Sequence, residues 1–120
     1  MIFRNSAICN QCKEEIISRH NHDYERCQCG SISVDGGHSY LKRSGDYTET
    51  SLTSQNSFEE IREGFEWGSH GKNGDEPLHY IKLKDMETGH INAILKTQSL
   101  AEELRTVFLE EYFRRSNAKV

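Results

Sequence analysis

No stretch of the sequence approaches the roughly 18 apolar residues needed to cross a bilayer, and the first residues hold no signal-peptide apolar region. The chain is therefore expected to work in the cytoplasm, without a membrane partner. Apolar residues are few, 34% against 28% charged. A core drawn from so small a stock is thin, and a small domain buries a lesser share of its surface to begin with. An added staple would matter to its stability. A basic excess is lacking as well: residues 1–50 carry six Lys/Arg against seven Asp/Glu, and residues 51–120 nine against twelve. That balance excludes a generic DNA-coating body. A protein partner is expected first, with nucleic acid or a nucleotide on a local patch as the alternative.

What the sequence does hold is a concentration of cysteine. All four cysteines fall within the first 29 residues, as Cys9-x2-Cys12 and Cys27-x-Cys29-Gly30. Two disulfides would suit a secreted chain, but a reducing cytosol keeps thiols free. Two short hooks that turn paired thiolates toward one ion read as a structural Zn²⁺ site of Cys9, Cys12, Cys27 and Cys29. The second hook is one residue shorter than usual, and Gly30 supplies the backbone freedom it needs. His20 or His22 can replace Cys29 as the fourth ligand.

Fourteen residues separate the hooks, enough for a hairpin of Glu15–Arg19 and Tyr24–Arg26. His20, His22 and Asp23 lie at its turn. They suit a second metal or an acid/base pair, and equally a tight turn whose polar side chains satisfy backbone groups or support the thiolates. Ser31–Val34 alternates as a strand, Asp35-Gly36-Gly37-His38 reads as a turn, and Ser39–Arg43 as the return strand. Asp35, His38, Tyr40 and Arg43 are then candidates for an anion-binding cluster, or simply the exposed ends of a hairpin.

The run Cys9-x2-Cys12, Ile17-Ser18, His20-x-His22-Asp23, Cys27-x-Cys29-Gly30, Val34-Asp35-Gly36-Gly37-x-x-Tyr40 and Arg43 resembles a small uncharacterised family of bacteriophages and bacterial mobile elements. The resemblance covers residues 7–45. It implies an accessory protein acting in a bacterial host, as a host-takeover or anti-defence factor, and carries no activity with it.

Residues 46–57 are polar and read as a linker between a 1–45 module and a 58–120 lobe. Ser57-x-x-Glu60 is a capping box, followed by Phe58, Ile61 and Phe65 on one helical face. The helix is expected to stop at Trp67-Gly68. Residues 67–78 hold three glycines and the only proline, which predicts a shaped loop. Lys72 could meet a phosphate there, but the Walker pattern is missing. Trp67 suits a stacking platform or ordinary core.

His79–Leu83 reads as a short strand. Thr88 is expected to cap a helix over Gly89–Thr97, and Ser99-x-x-Glu102 to open a longer one from Leu100 to Arg115. Its stripe is Leu100, Leu104, Val107, Phe108 and Tyr112, with Arg114 and Arg115 favoured by the helix dipole. Residues 58–98 also resemble a module of phage-encoded small proteins, through Trp67-Gly68-x-x-Gly71-Lys72-x-Gly74-x-x-Pro77-Leu78.

The expected architecture is α+β, a zinc-ribbon-like β-hairpin module followed by a mainly helical C-terminal lobe. The expected function is a zinc-stabilised, non-catalytic binding protein for a host or phage macromolecule. The alternatives are a small metal-dependent hydrolase or nuclease using His20, His22, Asp23, Asp35 and His38, or a protein that sequesters a nucleotide signal through Arg43 and the Trp67–Lys72 loop.

Overall fold

The computed structural model describes residues 1–71 and 73–117. The chain divides into two compact units, Met1–Ser57 and Phe58 onward. Sheet and helix are both present, and the helices belong to the second unit. Among the described residues no helix is long and apolar enough to cross a membrane.

The first unit is organised by a strand at its very start. β1 (Ile2–Cys9) pairs on one side with β2 (Glu15–Ser18). On its other side it pairs with β6 (Tyr47–Glu49) and β7 (Leu52–Thr53). Its middle, Arg4-Asn5-Ser6, does not look like a central strand, because Asn5 and Ser6 are polar and yet buried. Each is satisfied. The Asn5 side-chain amide donates to the carbonyls of Asp35, Gly37 and Tyr40 at 2.9–3.1 Å. Ser6 Oγ bonds Thr50 Oγ1 at 2.7 Å, and its backbone N–H donates to Ser51 Oγ. Paired polar groups can be buried at little cost, unpaired ones cannot.

Residues 46–57 are therefore not a linker: they supply two of the strands that flank β1. Their polar composition fits short edge strands, which expose much of one face. β2 also differs from expectation in its partner, which is β1 and not Tyr24–Arg26. The second sheet is β3 (Glu25–Arg26), β4 (Ser33–Asp35) and β5 (Lys42–Ser44), all antiparallel, so the expected β4–β5 pairing is present. Ala7, Cys9, Ile16, Cys27, Ile32 and Val34 form the core of this unit, with Cys12 packed against it.

In the second unit α1 (Phe58–Gly64) starts at the expected place but ends before Trp67. Residues expected at the helix end and in the loop instead form β8 (Glu66–Ser69), paired with β9 (His79–Lys82). Trp67 takes the face that meets Phe108, edge to face at 5.3 Å between centroids. A single 3₁₀ turn, Leu83–Asp85, leads to α2 (Thr88–Thr97) and α3 (Glu102–Asn117). α2 is not capped by Thr88: the N-cap is Glu87, with no side-chain cap bond. Thr88 Oγ1 accepts instead from Arg115 at 3.1 Å.

The α3 stripe buries Val107 and Phe108 as expected, and with them Glu111, which is 0% exposed. Arg62 holds the Glu111 carboxylate through two bonds of 2.7 and 3.1 Å, and Arg115 through a third at 2.7 Å. Arg115 also donates to the carbonyls of Leu83, Lys84 and Met86. Its role is thus to join α3 to the 3₁₀ turn and the start of α2, well beyond a contribution to the helix dipole. Burial alone would push the Glu111 carboxyl up, but the two guanidinium groups hold it below the usual carboxylate range.

Candidate metal centre

The first cysteine hook is the turn of the β1–β2 hairpin. Cys9 ends β1, its N–H donates to Glu14 O at 2.9 Å, and its carbonyl accepts from Lys13 N–H at 2.8 Å. That closed turn aims the Cys12 N–H at Cys9 Sγ, 3.3 Å away. The second hook turns between β3 and β4. Cys27 N–H donates to Ile32 O, Gly30 N–H to Cys27 O at 2.9 Å, and Ile32 N–H approaches Cys27 Sγ at 3.5 Å. In both hooks the residue just after the second cysteine is left-handed, Gly30 at φ 78° and Lys13 at φ 67°. Glycine takes that conformation freely, whereas a lysine there is held by its surroundings.

The two hooks meet. Cys29 Sγ lies 3.6 Å from Cys9 Sγ and 3.5 Å from Cys27 Sγ, and all four sulfurs fall within 4.8 Å of one another. None is in a disulfide. A tetrahedral ion with metal–sulfur bonds of about 2.3 Å requires sulfurs about 3.8 Å apart, so the four cysteines are positioned to bind one metal ion. Cys29 belongs to this set, and neither His20 nor His22 is needed to complete it.

Bonds between the turns hold the arrangement. Gln28 N–H donates to Glu14 Oε1 at 2.7 Å, and Ser31 Oγ donates to Gln11 Oε1 at 2.6 Å. These residues carried no signal in the sequence, because their partners lie in the other hook.

The thiols titrate apart. Hydrogen bonding with the Ser31 hydroxyl and backbone brings Cys29 down to about 6. The Glu14 backbone favours the Cys12 thiolate, but burial and hydrogen bonds shared with Cys29 and Cys9 outweigh it and push Cys12 up to about 11. Burial works against the Cys27 thiolate too, yet the Ile32 and Ser31 backbone groups bring it below the usual thiol value. Like charges this close cannot all ionise unaided. Four thiolates call for a cation among them.

A family model described as a domain of unknown function, DUF7695, matches residues 1–45. No curated protein matches the chain, nor does any solved structure. The matched segment holds both cysteine hooks, together with β1 to β5, and stops short of the β6 and β7 strands that flank β1.

The other residues singled out in the sequence do not converge on one site. The His20–Asp23 turn packs on the Gly36-Gly37 turn so closely that a Cβ at Gly37 would lie 2.3 Å from the His20 carbonyl carbon. Ser18 Oγ links the two, donating to Asp23 O at 2.6 Å and accepting from Gly37 N–H at 2.9 Å. Asp23 caps its own turn, accepting from Arg19 N–H at 2.8 Å. Burial disfavours the Asp23 charge, but that bond holds its carboxyl below the usual range, while the neighbouring Asp23 carboxyl pushes Glu25 up. His20 is exposed and 3.9 Å from Asp23.

His22, at φ 62°, places Nδ1 3.3 Å from Tyr40 Oη, which donates to Asp35 Oδ2 at 3.5 Å. Burial and the Asp35 charge raise the Tyr40 phenol. His38 lies elsewhere, with Nδ1 2.7 Å from Ile2 O.

Arg43 is not an open anion site. Its side chain is 6% exposed, and it donates to both Glu49 oxygens at 2.7 and 2.9 Å, to Ser51 Oγ and to Ser6 O. It cross-links β5 to the β6–β7 edge. Trp67 is half-buried against Phe108 and belongs to the core of the second unit. Lys72 lies outside the described residues.

Proposed function

We propose that the metal is Zn²⁺, held as a structural ion by Cys9, Cys12, Cys27 and Cys29 in a zinc-ribbon-like unit, and that the protein is a non-catalytic binding protein. The observation that carries this reading is the closed set of four sulfurs within 4.8 Å. Four thiolates fill a tetrahedral ion, whereas catalytic zinc keeps a position open for water or substrate. The side chains suited to acid/base work support the same view, since Asp23 is spent on its own turn and His38 on the Ile2 carbonyl. The resemblance of residues 7–45 supplies the context, an accessory protein of a phage or mobile element that engages a host macromolecule. Net charge of −4 favours a protein over a nucleic acid as that partner.

Native mass spectrometry with elemental analysis on freshly purified protein tests the metal assignment. One zinc per chain is expected. Two metals per chain, or one that exchanges freely while the fold persists, would overturn the structural reading and direct attention to hydrolase and nuclease assays. Affinity capture from bacterial lysate tests the binding role, with a stoichiometric protein as the expected result. Turnover of a substrate without any such partner would refute it.

A further inference from the structure

The four cysteines are unequal in exposure. Cys9 and Cys27 are buried at 0% and 4% exposure, Cys12 is half-buried, and Cys29 is exposed. An oxidant in solution therefore meets one sulfur first. All three other sulfurs lie within 4.8 Å of it, and Cys27 Sγ at 3.5 Å and Cys9 Sγ at 3.6 Å are in direct contact. A Cys27–Cys29 bridge would close a ring over one intervening residue, which suits disulfide geometry poorly. Cys9 stands on the opposite hook, so a bridge to it joins two separate hairpin turns and closes a long loop.

We propose that Cys29 is a peroxide-reactive site whose oxidation closes a disulfide onto Cys9 and releases the metal. The proposal rests on the reading of the four cysteines as metal ligands. Two steps balance it. The Cys29 sulfur attacks one peroxide oxygen: an S–O bond forms, the O–O bond breaks, and the leaving hydroxide is protonated to water. Cys29 is now a sulfenic acid, oxidised by two electrons as the peroxide is reduced. The Cys9 thiolate then attacks the Cys29 sulfur, an S–S bond forms, the S–O bond breaks, and hydroxide leaves as a second water. The ion keeps only Cys12 and Cys27 and is lost. Since Cys9 and Cys27 are also core residues, loss of the ion removes the centre of the first unit with it.

The test uses the full-length, metal-loaded protein. Hydrogen peroxide is titrated in, metal release is followed with a chromogenic chelator, and peptides are mapped without reduction. The expected result is release of the ion together with a Cys9–Cys29 crosslink, both reversed by thiol reductant and added zinc. Brief alkylation of the loaded protein with iodoacetamide, which needs no variant, is expected to modify Cys29 at least about tenfold faster than Cys9 or Cys27.

Cys29→His, which keeps a zinc ligand but removes the thiol, is expected to slow peroxide-driven release by about tenfold or more. Equal alkylation of all four thiols, or release that is as fast in Cys29→His, would overturn the proposal while leaving the metal site intact. Purified protein that carries no metal would overturn both readings.

Discussion

Removing the metal is expected to unfold Met1–Ser57 while leaving the second unit standing. The core of the first unit holds Ala7, Ile16, Ile32 and Val34 together with two of the cysteines themselves. With Phe3 and Leu52, the other buried apolar side chains of the unit, that is still a small core for a unit of this length. Net stability of roughly 0.05–0.15 kcal/mol per residue gives Met1–Ser57 about 3–9 kcal/mol in all. A structural zinc supplies on the order of 10 kcal/mol of folding free energy. Its loss therefore exceeds everything the unit has in hand.

The molecule carries its own control for this experiment. The only tryptophan, Trp67, packs against Phe108 in the second unit, so its fluorescence reports on that unit. Chelation, or Cys12→Ser, is expected to reduce the strand signal in far-UV circular dichroism to that of the β8–β9 pair and to abolish the protection of β1 and β4 amides from hydrogen exchange. Trp67 emission and the helical signal should persist. An unchanged cooperative melt after complete metal removal, verified by elemental analysis, would refute the argument.

Glu111→Ala leaves Arg62 and Arg115 facing each other, half-buried without their shared carboxylate, and is expected to cost about 3–5 kcal/mol; urea unfolding followed by Trp67 emission checks it, and a loss below about 1 kcal/mol counts against the buried triad. Because the folded Glu111 carboxyl sits below its usual value of 4.5, its contribution is complete above that pH and disappears as pH falls through the lowered folded value. Acid titration of α3 helicity should show this loss, and Glu111→Gln should flatten it. Gly37→Ala places a Cβ 2.3 Å from the His20 carbonyl carbon at φ 51°, which is expected to destabilise the first unit by at least about 2 kcal/mol. A thermal melt of that variant matching the parent would show that the two turns are not tightly packed.

How far the sequence could be read depended on how local each determinant is. The cysteine hooks were legible because a turn of four residues fixes where its two thiolates point, and the ion needs little beyond two such turns. α1, α2 and α3 were legible from apolar spacing, since helical bonds close within four residues. Their ends were not: α1 stops at Gly64 and α2 starts without Thr88 as its cap, because the chain on either side is committed to β8 and to Arg115.

Everything that depends on a distant partner had to wait for the fold. β1 carries a polar centre that looks like loop until the carbonyls of Asp35, Gly37 and Tyr40 are brought to Asn5. Residues 46–57 read as linker because short edge strands need no apolar pattern, only a neighbour with free backbone groups. Arg43, read as an anion contact or an exposed hairpin end, and Glu111, which carried no signal of its own, proved to be enclosed cross-links. Lys13 gave no hint of its left-handed turn, which the closing bonds of the first hook impose. The sequence by itself determined that four thiols would form two hooks, and where the helices would lie. Tertiary structure alone decided which strands enclose those hooks, which polar groups are buried, and which sulfur faces water, because burial and pairing belong to the assembled chain.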